Sequence, residues 1–105
     1  MTAQRTPSAA PVAIDVPFPD IERWAPGNAG LPYVWTFESG RPGPHVLIQA
    51  LTHGNEVCGA IALNWALRHG LRPHRGQLTF CFANPDAYHE FDPGAPFDSR
   101  AHRCP

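Results

Sequence analysis

His53 and Glu56, in the run Thr52-His53-Gly54-Asn55-Glu56, are the two side chains whose types and spacing most clearly carry chemistry. An imidazole and a carboxylate three residues apart can converge on one point where the chain bends. That donor set suits zinc, which takes nitrogen and oxygen ligands and in catalytic sites keeps a position for water or substrate. Such an ion polarises a carbonyl and lowers the pKa of bound water to about 7. The spacing alone is a weak signal: six histidines and four glutamates among 105 residues give about 0.2 His-x-x-Glu pairs by chance. A second reading of the same residues stands beside the first. His53 and Asn55 would cap a helix, and Glu56 would serve its dipole.

The elements around the pair add weight to its position. Residues 45–51, His-Val-Leu-Ile-Gln-Ala-Leu, read as a strand, and their near-continuous apolar character suits burial on both faces. A helix is predicted over 55–69, with Asn55 as N-cap, Glu56 in the first turn, Arg68 and His69 at the carboxyl end, and Gly70 as the stop. Apolar residues at 57, 61, 63, 65 and 67 leave that helix only a narrow polar stripe, so it is expected to be covered. Residues 77–83 form a further strand. Strand, helix and strand at this spacing make a βαβ unit, with parallel strands and a right-handed crossover. Ligands of open α/β sheets bind at the carboxyl ends of the strands, which is where His53 and Glu56 fall. Gly54 would let the backbone turn tightly there.

Upstream, residues 33–37 are β-branched and aromatic and read as another strand, separated from the next by the Arg41-Pro42-Gly43-Pro44 loop. Residues 21–24 suit a turn of helix, and residues 1–20 read as an extended arm. Beyond Asn84-Pro85 the pattern loses all period. Trp24, Trp35 and Trp65 lie in different elements and read as packing residues.

Composition bounds these readings. The chain is 43% hydrophobic and 16% charged, enough to build a core and unlike a disordered polar tract. Thirteen residues are proline, well above the usual share of about 5%, and eight of them fall in the first 44 residues. The net charge of −1 argues against a nucleic-acid or membrane-surface partner, as does the scatter of the eight arginines. No apolar run approaches the ~18 residues of a membrane span, and the first 20 residues lack the apolar core of a signal peptide. Cys58, Cys81 and Cys104 form no CxxC pair. Cys58 and Cys81 are expected as small buried hydrophobes, which fits a reducing cytoplasm.

The run GPHVLIQALTHGNEVCGAIALNWAL, residues 43–67, resembles the succinylglutamate desuccinylase/aspartoacylase family, zinc hydrolases related to the zinc carboxypeptidases. The segments GNAGLPYVWTFESGRPGP and RGQLTFCFANPDAYHEFDPGAPFDSR also fit, so the likeness covers roughly residues 27–100. It implies an α/β fold, the N-terminal part of a carboxypeptidase-like mixed sheet with a strand-helix-strand crossover. It also implies one zinc ion held by His53 and Glu56, with a third histidine and a general-base glutamate from far downstream. The substrate class would be an N-acyl amino acid or a similar amide or ester. Arg100 falls where the family places an arginine that polarises the scissile carbonyl. Asn84-Pro85 matches the family's Asn-Pro turn, and Asn84 is read as structural, bonding its own loop.

The chain also departs from the pattern. After Arg100 the family continues with an acidic stretch and an Asn-Arg pair that holds the substrate carboxylate, whereas this sequence reads Ala101-His102-Arg103-Cys104-Pro105. The division expected is therefore a Pro-rich arm over 1–26, an incomplete zinc-hydrolase portion over 27–100 and a divergent tail over 101–105. His69 and His74 lie about 20 Å from the helix start at ~1.5 Å per residue, too far to serve as a third ligand. His89 and His102 are expected as solvated loop residues. A fragment with two of three ligands is expected to be inactive alone. Two other classes remain: a non-catalytic βαβ binding module, and the front of a serine α/β-hydrolase, for which the required G-x-S-x-G elbow is missing.

Overall fold

Alternation dictates the middle of the molecule. Along Gln77-Leu78-Thr79-Phe80-Cys81-Phe82, the large apolar side chains recur at every second position, and all three are buried. A computed structural model describes residues 16–91 and places this strand, β3 (Gln77–Phe82), at the centre of a three-stranded mixed sheet. β1 (Val34–Glu38) pairs with it antiparallel, Trp35 opposite Phe80. β2 (His45–Ala50) pairs with it parallel, Ile48 opposite Phe80. The parallel pair and the three-strand mixed sheet agree with the sequence reading. The fold is a small mixed α/β domain.

The connection from β2 to β3 is α1 (Val57–Arg68). Its Ala60, Leu63, Ala66 and Leu67 form the core with Ala50, Leu78, Phe80 and Phe82. At its carboxyl end the amide of Leu71 donates to Ala66 O at 3.0 Å and that of Gly70 to Leu67 O at 3.3 Å. This is the Schellman arrangement, and it requires the left-handed φ of +69° that Gly70 adopts without a Cβ penalty. Gly70 therefore stops the helix as expected.

The segment before β1 closes the core rather than hanging from it. A single 3₁₀ turn, Glu22–Trp24, buries Ile21 and Trp24. The Trp24 indole N–H donates to Asn64 Oδ1 at 3.0 Å on α1, and the Trp35 indole N–H donates to Trp24 O at 2.9 Å. The two rings meet edge to face, 5.7 Å between centroids. Phe18 stacks on Tyr88 and Phe91.

Several expectations are corrected. β2 is not buried on both faces: Leu47 is 58% exposed and Val46 47%. The central place belongs to β3, so β2 lies at the edge of the sheet among the described residues, and it is buried only at Ala50. α1 is likewise not covered all round, since Ile61 and Trp65 are exposed. Trp65 does not pack in the core but stacks on the His69 ring, 4.4 Å between centroids. Cys58 is exposed, on the open side of α1, while Cys81 is half-buried with its thiol pKa raised by desolvation. A short helix, α2 (Pro85–Glu90), stands where no period was legible. Its start was nonetheless written in the chain: Asn84 is the N-cap, Pro85 opens the first turn and Asp86 lies within it. Among the described residues, no helix is long and apolar enough to cross a membrane.

Candidate metal centre

The loop that leaves β2 is turned by backbone geometry before any side chain acts. Leu51, almost fully buried, takes a φ of +62°, which redirects the chain out of the sheet. Gly54 then passes against α2: a Cβ built there would lie 2.3 Å from Ala87 O and 2.9 Å from Tyr88 N. Its φ is not left-handed, so Gly54 is required for close approach and not for the turn itself.

Within this loop His53 and Glu56 face each other. The His53 amide donates to Glu56 Oε1 at 3.0 Å, and His53 Nδ1 lies 3.1 Å from Glu56 Oε2. Their side chains are 36% and 43% exposed. Glu56 occupies the N-cap position of α1 but makes no capping bond; its carboxylate folds back on His53. The expected N-cap at Asn55 and the expected first-turn place of Glu56 are thus each displaced by one position. The physical reason is the length of the Glu side chain, which reaches the His53 amide.

These contacts keep Glu56 ionised. Its pKa is lowered, first by the backbone hydrogen bond from His53, and further by the His53 ring and the Thr52 amide, against a smaller opposing effect of burial. An ionised carboxylate oxygen and an imidazole nitrogen are both zinc donors. Adjacent donors of a tetrahedral zinc lie about 3.3–3.5 Å apart, given bonds of ~2.0–2.2 Å. The Nδ1–Oε2 pair is therefore within a few tenths of an ångström of the required spacing, and the donor set fits the ion as two of its ligands.

A third protein ligand does not join them among the described residues, which contain no group of three His, Cys, Asp or Glu side chains able to hold a metal. His45 Nε2 lies 2.7 Å from Thr79 Oγ1, His69 Nδ1 lies 2.8 Å from Trp65 O, and His89 Nε2 lies 3.3 Å from Tyr33 OH. Arg100, His102 and Cys104 lie outside the described residues. Two clefts, of about 420 and 330 Å³, sit at the other end of the sheet, around Gly43, His45 and Gly76 and around Val46, His74 and Leu78.

The structure also brings Asn84 to the site. Its side chain is buried; Oδ1 accepts from the Ala87 amide at 3.3 Å, as a cap, and Nδ2 donates to Thr52 O at 3.4 Å. The first bond is the local one expected for an Asn-Pro turn. The second spans 32 residues and has no sequence signal. Comparisons with protein-family models, with curated proteins and with solved structures find no match.

Proposed function

We propose that this chain carries the first two ligands of a zinc-dependent hydrolase of the succinylglutamate desuccinylase/aspartoacylase type. The observation that carries this reading is the pairing of His53 Nδ1 with Glu56 Oε2 at 3.1 Å, at the carboxyl end of β2. The bound ion would polarise the scissile carbonyl and acidify a water. His53 and Glu56 would hold it, and the lowered pKa of Glu56 would keep that carboxylate ionised. Arg100 is assigned to the oxyanion that develops on the carbonyl. The remaining ligand and the general base belong to groups beyond the described residues. The substrate class is an N-acyl amino acid or a similar amide or ester.

Zinc titration against a competing chromophoric chelator tests this. One equivalent is expected to bind, weakly because solvent completes the coordination. His53→Ala is expected to abolish binding. Hydrolysis of N-acyl amino acids by this chain alone is expected to stay at background; turnover removed by chelator and restored by zinc would overturn that part. Absence of zinc binding would instead favour a non-catalytic module in which the Glu56 bonds only staple the loop.

A further inference from the structure

We infer that Asn84 is a positioning residue for the His53–Glu56 pair and acts through the peptide plane between Thr52 and His53; the inference rests on the reading of that pair as metal ligands. The Thr52 carbonyl and the His53 amide belong to one peptide unit. Asn84 Nδ2 donates to that carbonyl at 3.4 Å, and that amide donates to Glu56 Oε1 at 3.0 Å. Because the unit is planar and trans, its C=O and N–H point in opposite directions. Holding the carbonyl on the α2 side aims the amide at the Glu56 carboxylate.

The amide of Asn84 is itself fixed in one orientation. Oδ1 faces the Ala87 N–H, which only an acceptor can serve, and Nδ2 faces a carbonyl, which only a donor can serve. Asn84 is 3% exposed, so water does not readily replace either bond. Gly54 meets the backbone of Ala87 and Tyr88 on the same side, which makes the start of α2 and the metal loop one packed unit. Partners that orient metal ligands from behind typically change metal affinity 10–100-fold.

The test compares the full chain with Asn84→Asp, which keeps an oxygen for the Ala87 cap but sets an oxygen against Thr52 O in place of the donor. Asn84→Ser is the second variant; its hydroxyl can cap but is too short to hold Thr52, and it serves if the aspartate variant does not fold. Amide exchange is read by NMR in the metal-free protein, and zinc affinity by chelator competition. In either variant the His53 amide is expected to exchange about tenfold faster while Ala87 keeps its protection, and zinc affinity is expected to fall about tenfold. Unchanged His53 exchange would overturn the inference. So would faster exchange with unchanged zinc affinity. If the unaltered chain binds no zinc, the metal reading fails by itself, and the His53 exchange rate still decides whether Asn84 orients this peptide.

Discussion

β2 and β3 lie side by side in parallel, residue paired with residue, and each is a six-residue run rich in apolar side chains. Their surroundings are opposite. Phe80 on β3 is 1% exposed, while Ile48, its partner on β2, is 39% exposed. Among the described residues β3 has a strand on each side, whereas β2 has one neighbour and meets α1 near its carboxyl end, where Gly59 lies against Ala50. β2 becomes buried only at its last residue, Ala50, and the chain stays buried at Leu51 just beyond it, where the loop carrying His53 and Glu56 departs. The difference teaches that an apolar run specifies a strand but not its place in the sheet. The site is built at the one end of β2 that the rest of the domain holds firmly. Along its body, β2 carries neither charge nor proline, the features that usually protect a free edge.

The largest effect expected from this contrast is Phe80→Ala, at about 3–5 kcal/mol of lost stability from the cavity it would open. Leu47→Ala, on the exposed body of β2, should cost no more than about 0.5 kcal/mol. Urea midpoints of the two variants check this, and equal losses would break the comparison. Next is Gly54→Ala, whose added Cβ would meet the Ala87 carbonyl. It should cost about 1–3 kcal/mol, as overpacking does, and loosen α2 and the His53 loop together. Amide exchange at Ala87 and His53 would show both regions responding; a response confined to one would divide them.

A smaller effect concerns pH. Tyr88 is buried, its hydroxyl donates to Pro19 O at 2.5 Å, and its pKa is pushed up to about 12, mainly by desolvation and also by Asp20. An unfolded tyrosine ionises near ~10, so between that pH and 12 the unfolded chain releases a proton that the folded chain keeps. The contribution of Tyr88 to stability is therefore complete below pH ~10 and is lost as pH rises toward 12, with Tyr33 shifted in the same direction. Thermal unfolding from pH 8 to 12 should show this decline, reduced in Tyr88→Phe. The smallest change expected is in Leu47→Lys, within about 0.5 kcal/mol of the parent, because the side chain already meets water. Its value is as a control: a large loss would mean that the body of β2 is covered in solution.

Much of this architecture was legible in the chain. The strand cores near 34–38, 45–50 and 77–82, the Gly70 stop and the parallel crossover pair follow from alternation, run length and glycine chemistry. The His53–Glu56 pair was legible as two donor residues at a bend. Three features were not. The six residues of α2 are too few to show a helical period, although Asn84-Pro85-Asp86 contains its start signal. The exposure of β2 depends on which strand takes the centre. The Asn84–Thr52 bond joins residues far apart in sequence, and nothing local encodes it.

The sequence by itself determined the donor types at His53 and Glu56, the bend that carries them and the elements on either side, because these depend on neighbours within a few positions. The tertiary structure alone decided that Asn84 would bond the Thr52 carbonyl, on the peptide that leads into His53. It also decided that Gly54 would be needed for the passage of another backbone. Those outcomes depend on how α2 returns over the end of β2, and packing between distant segments sets that approach.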